Sequence, residues 1–217
     1  MISLKASLAS AFLSLSLLSL SGLSAFGIEA PPSGLFYKAG LSSNINNIKT
    51  RNLDITAQTS TYTGYSGSFG LDAGVGYMAF MNRFIGFRAS FGFDANYLRG
   101  VLNKQPYSGF FMLLDAGVEG LVTFLPLQSF QMYGIGGFSF GLISSRTEAS
   151  GALPFAILGL GANIKGYRVE LTTKIGLATL QDQRSIPNEN GGELNQTYLM
   201  NSYFINLNFV RYFNIGF

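Results

Sequence analysis

The chain closes on Tyr203-Phe204-Ile205-Asn206-Leu207-Asn208-Phe209-Val210-Arg211-Tyr212-Phe213-Asn214-Ile215-Gly216-Phe217, and this stretch alternates in character. Tyr203, Ile205, Leu207, Phe209, Phe213, Ile215 and Phe217 share one parity, interrupted by Arg211. Phe204, Asn206, Asn208, Val210, Tyr212, Asn214 and Gly216 share the other, which is more polar. A period of two over this length predicts a strand whose two faces meet different surroundings.

Working back from it, seven further segments show the same period, at 34–43, 67–79, 84–97, 110–123, 130–143, 153–165 and 167–180. In 67–79, Phe69, Leu71, Ala73, Val75 and Tyr77 oppose Ser68, Gly70, Asp72, Gly74 and Gly76. In 84–97, Phe87, Ala89, Phe91 and Phe93 oppose Arg88, Ser90, Gly92 and Asp94. Segment 130–143 changes parity between Tyr133 and Phe138, and a bulge at Gly136-Gly137 is expected there. Between the segments, long connections at 44–66, 98–109, 144–152 and 181–197 alternate with short ones. Long outer loops and short periplasmic turns, on an even number of strands, are the pattern of transmembrane barrels.

Composition agrees. The chain is 47% hydrophobic but only 12% charged, with 27 glycines. A soluble domain carries about twice that charge fraction. After the first 27 residues no continuous apolar run has the ~20 residues of a membrane helix, so a closed barrel is the remaining structure a bilayer permits. Residues 1–27 read as a secretory signal: Lys5, a Ser/Leu-rich run over 8–20, then small residues up to Gly27. Residues 28–217 are then one eight-stranded antiparallel transmembrane β-barrel. A soluble barrel of the lipocalin kind would turn the apolar face inward. An eight-stranded interior cannot hold so many Phe, Leu and Ile side chains.

The opposite face carries Lys38, Asp72, Arg88, Asp94, Asp115, Glu119, Lys165, Arg168, Glu170 and Lys174, on both signs and most strands. Buried ions need partners, so an internal network that plugs the lumen is expected. A charge-selective pore would show a ring of one sign. The chain has neither His nor Cys, which removes Ser–His and Cys–His pairs and the commonest metal ligands. No catalytic, cofactor-binding or metal-binding residue is assigned. Asp115 with Glu119, and Glu189 with Glu193, read as barrel filler and loop solvation. The net charge of +3 is dispersed, which gives no support for nucleic acid as a partner. Glu193-Leu194-Asn195-Gln196-Thr197 matches an extended N-glycan acceptor pattern, a weak signal at this length.

The closing strand resembles the last strand of bacterial outer-membrane barrels, in which terminal aromatics serve as an assembly signal. That resemblance gives Phe209, Phe213, Ile215 and Phe217 this role and the barrel-assembly machinery as a partner during biogenesis. Gly34-Leu35-Phe36-Tyr37-Lys38-Ala39-Gly40 is similar to the mature N-terminus of the Helicobacter outer membrane protein family, whose members also close on an alternating strand ending in Phe. The large adhesins of that family have extensive extracellular domains and cysteine pairs, which this chain lacks. The expectation is a monomer in the cell outer membrane, in contact with outer-membrane lipid. Its role is structural or surface-interaction, adhesion included, with a host or surface ligand at the loops; a narrow porin-like channel is the alternative.

Overall fold

A computed structural model describes residues 33–53, 59–127, 130–164, 167–187 and 193–213. The signal segment, Lys165, Glu189, Ile215 and Phe217 lie outside the described residues. The described chain forms one antiparallel sheet of β1 (Gly34–Leu53), β2 (Thr59–Phe80), β3 (Ile85–Leu102), β4 (Gln105–Pro126), β5 (Phe130–Ser145), β6 (Gly151–Ile164), β7 (Tyr167–Gly176), β8 (Leu180–Pro187) and β9 (Glu193–Tyr212). Neighbours in sequence pair from β1 through β7; β9 then pairs with β7, β8 and β1, closing the barrel. β7 and β8 share one position in the ring. Ile175 faces Tyr203 and Leu180 faces Met200, so 176–179 occupy the space of Asn201 and Ser202. The two extra residues keep the parity and bend the wall. The ring therefore has eight strand positions, the seventh of them interrupted.

The strands are longer than the alternation alone marks. β1 and β2 stay paired up to Leu53 opposite Thr59, and β3 and β4 up to Leu102 opposite Gln105. Of the segments expected as loops, the described residues of 44–66, 98–109 and 181–197 are almost all strand, whereas 144–152 keeps a connection at 146–150 between β5 and β6. Asn103 and Lys104 form a two-residue turn with φ of 51° and 64°, the left-handed pair that a tight hairpin requires. Only about 9–11 residues of each strand are needed to cross a bilayer, so the 20 residues of β1 rise well above it. On β1 the alternation fades because Asn44, Asn46 and Thr50 are buried on the inner face while Asn47, Lys49 and Arg51 are exposed on the outer one.

Side chains obey one parity throughout. Phe69, Leu71, Val75, Phe91, Phe93, Leu160, Leu171, Leu207 and Phe209 all stand exposed on the outer wall. Tyr65, Tyr97, Phe110 and Tyr203 bound this belt above, and Tyr37, Tyr77, Tyr167 and Phe213 below, which is the aromatic girdle arrangement of membrane barrels. Arg211 keeps the parity. It faces outward opposite Tyr37, close to the end of β9, with its guanidinium 5.8 Å from the Tyr167 ring centre. No bulge occurs at Gly136-Gly137, where the ladder runs through unbroken; the irregularity in the β4–β5 pairing lies between Thr123 and Leu125. Tyr133 and Ile135 point into the lumen because apolar side chains fill it there, an arrangement that parity alone mistook for a register slip.

Candidate functional site

The lumen is filled in layers. Lowest is an apolar layer of Phe36, Met78, Leu121, Tyr133, Ile135 and Val210. Glycines make room for it: a methyl on Gly76 would stand 2.7 Å from the Phe36 ring. Arg168 lies here, 3% exposed. Its guanidinium carbon is 4.8 Å from the Tyr212 ring centre, 5.3 Å from Phe80 and 5.6 Å from Tyr133, and its Nη1 is 2.9 Å from the Met78 sulfur. Among the described residues no carboxylate forms a salt bridge with it; aromatic faces supply the compensating negative potential.

Above it, Arg88 bridges two strands. Its Nη1 donates to both carboxylate oxygens of Glu170 at 2.7 Å, while Nε and Nη2 donate to Glu119 Oε2 at 3.1 and 2.5 Å. The Tyr133 hydroxyl donates to Glu170 Oε1 at 2.7 Å. The next layer centres on Lys174, whose Nζ donates to Asp94 and Asp115, both at 3.0 Å. Lys38 reaches Asp72 at 3.3 Å. Asp72 and Asp94 sit directly opposite each other on β2 and β3. The Asn206 amide donates to both of them, and Asn208 donates to Asp72 at 2.6 Å. Gly92 leaves the space these charges occupy, since a methyl there would stand 2.6 Å from Asp115 Oδ1. Asp115 and Glu119 therefore serve different cations in different layers and do not act as a pair.

The top layer is again apolar, built from Ile48, Leu98, Phe111, Leu113, Ile143, Leu153, Phe155, Met200 and Phe204 among others. Phe204 packs with Phe111 and Phe155 at ring-centre distances of 5.6 and 5.7 Å. The connection 146–150 folds inward over it. Glu148 is fully buried, accepting hydrogen bonds from Asn46 Nδ2 at 2.5 Å and the Tyr107 hydroxyl at 2.7 Å. Burial pushes the Glu148 carboxyl above the usual carboxylate range, against the lowering pull of those donors. Burial likewise raises the Tyr107 hydroxyl, helped by its carboxylate neighbour. Arg184 on β8 pins this connection by donating to the carbonyls of Ser145, Arg146 and Glu148, and it also pairs with Asp182 at 2.8 Å. Asp182 in turn accepts from the Ser150 amide.

Of the residues singled out in the sequence, Lys38, Asp72, Arg88, Asp94, Asp115, Glu119, Glu170 and Lys174 meet in these ion-paired layers, and Arg168 does not. Phe209 stands on the lipid face, and Phe213 packs on Tyr37 at 5.2 Å. Asn195 is exposed within β9, paired between Leu53 and Ser185. Missed by the sequence reading were Glu148, Tyr107 and Arg184, which lay in segments expected as loops, and the two apolar layers. Phe204, Val210 and Phe36 on the inward parity were the signal for those layers.

No protein-family model matches the chain, and no curated protein is similar to it in sequence. Solved structures are similar in fold. The outer membrane protein OprG from Pseudomonas aeruginosa superposes with a TM-score of 0.56 over 86% of this chain and 99% of its own, at 10% identity. The fold is that of an outer-membrane β-barrel. Ail, the attachment invasion locus protein of Yersinia pestis, gives a TM-score of 0.30 at 12% identity, over 78% of this chain and 97% of its own. A closed barrel with an apolar belt between aromatic girdles is the surface of a protein of the cell outer membrane.

Proposed function

We propose that this barrel acts at its outer surface, in a structural or surface-interaction role that includes adhesion, and that its lumen is a plug. The observation that carries this reading is the wall standing above the upper girdle. There β8, β9, β1, β2, β3 and β4 continue as a paired sheet, whereas β5 stops at Ser145 and β6 begins only at Gly151. Residues 105–110 of β4 have no partner on β5, and β8 is paired only with β9. Two open strand edges thus flank a notch above the inward-folded connection, a surface suited to a host or surface ligand. The resemblance of the 34–40 segment and of the closing strand supports membership of the Helicobacter outer membrane protein family. The terminal aromatics support delivery by the barrel-assembly machinery as a monomer. The lack of His and Cys supports a chain without catalytic activity.

The test compares cells displaying the intact barrel with cells displaying one in which 99–108 is cut back to a two-residue turn. Binding to epithelial cells should fall to background in the shortened form, with heat-dependent gel mobility retained. Equal binding overturns the reading. A narrow channel remains the second reading, favoured by one wall of the upper lumen. There Asn44, Thr50, Ser68 and Ser202 are buried with side-chain atoms that have no protein partner, groups that water ordinarily satisfies. Single-channel recordings in planar bilayers separate the two: a plugged barrel gives no reproducible open state.

A further inference from the structure

On the outside of the wall, at the height of the upper girdle, lies a groove of about 440 Å³ across β2, β1, β9 and the start of β8. Asn47, Lys49, Thr63, Thr179 and Asn201 line it together with the apolar Leu199, over a backbone floor that includes Gly64. These side chains belong to the outward parity, and Ile45, Tyr65 and Tyr203 stand exposed just below them. The break between β7 and β8 places Thr179 beside Asn201, and the Thr179 hydroxyl donates to Asn201 Oδ1 at 2.8 Å. That bond fixes the Asn201 amide and leaves its NH2 group as a donor to the groove. Lys49 adds a cation, and Arg51 follows it on the same face of β1. Among the described outward-parity positions of β1, β2, β8 and β9 above the girdle, the one carboxylate residue is Glu193, at the far end of β9 from the girdle and opposite Pro187.

The girdle marks where acyl chains end and headgroups begin. Donors around one cation at that height, with Leu199 beside them, match an anion carried by a lipid whose tails run down the apolar belt below. We infer that this groove binds the phosphate of a phosphorylated glycolipid of the outer leaflet. Lys49 supplies the charge, and the amides of Asn47 and Asn201 and the Thr63 hydroxyl supply hydrogen bonds. The site is separate from the notch at the rim and does not depend on the role given to it.

The experiment is native mass spectrometry of the full barrel in mild detergent, titrated with bis-phosphorylated lipid A, the same lipid dephosphorylated, or inorganic phosphate. The phosphorylated lipid should bind at least about five-fold more tightly than the dephosphorylated one, the weight of one cation at a membrane surface. Lys49→Gln should erase most of that preference, whereas Lys104→Gln, at the hairpin tip, should leave it unchanged. Heat-dependent gel mobility checks folding, and Asn201→Ala serves as the second variant should Lys49→Gln fail to fold. The inference is overturned if the two lipids bind alike or if the variants keep the full preference. It is also overturned if inorganic phosphate competes at equal concentration, which would mark a site for a free anion.

Discussion

Replacing Arg88 with Met removes the cation from the lower charged layer and leaves Glu119 and Glu170 buried without their shared partner. Both carboxylates are nearly inaccessible, with side-chain exposures of 5% and 1%, so neither can recover its hydration by a small movement. Losing one member of such a group costs about 3–5 kcal/mol. For a chain of this size each kcal/mol moves the melting midpoint by about 2–4 °C, so Arg88→Met should lower it by roughly 6–20 °C. The midpoint is read from the heat-dependent gel shift of the purified barrel in a single detergent. The penalty comes from unpaired charge rather than lost volume, so adding Glu119→Gln and Glu170→Gln should return most of the loss. A single variant within about 2 °C of the parent, or a triple variant less stable than the single one, would refute the reasoning.

Folding holds the Glu148 carboxyl above its ordinary range, so the protonated acid favours the inward-folded connection. That stabilisation is complete below the ordinary value of about 4.3 and is lost as pH rises through the raised one. Hydrogen-exchange protection of 146–150 should fall across that window, and Glu148→Gln should make it independent of pH. Arg184→Ala removes three carbonyl contacts and the pair with Asp182, and should expose 146–150 to protease while the gel mobility of the barrel persists. Gly92→Ala should cost the ~1–3 kcal/mol of an overpacked core, seen as a lower melting midpoint, through displacement of Asp115. Leu207→Arg, on the lipid face, should cost ~2–4 kcal/mol in vesicle unfolding if that position lies at mid-depth, whereas Arg211→Leu, at the rim, should be close to neutral.

The outer face was legible because lipid demands it: Phe69, Leu71 and Phe91 must be apolar whatever fills the lumen. The ionic layers were legible as a group for a related reason, since charges such as Arg88 and Glu119 on the inward parity of a barrel have nowhere to go but toward each other. Their pairing was not, because it depends on strands far apart in the chain, as with Arg88 and Glu170. Arg168 shows the limit most clearly, since its ring of Phe80, Tyr133 and Tyr212 comes from three other strands. The tall rim was hidden because strands with polar groups on both faces, such as 44–53, lack the alternation that identifies a strand. The interruption at 177–179 conserves parity and leaves no trace in the pattern.

The facing pair Asp72 and Asp94 bears on how the barrel comes to be built. Strands β2 and β3 are made early and are neighbours, so an unclosed sheet sets two like charges side by side. Lys38 on β1 meets Asp72 from the start, whereas the partners of Asp94 come late, Lys174 from β7 and Asn206 from β9, and Asn208 adds a second amide to Asp72. Until β7 arrives, Asp94 is without its ion-pair partner. The last strand does more than seal a seam: its Asn206 amide joins the two carboxylates that came face to face when the second and third strands paired.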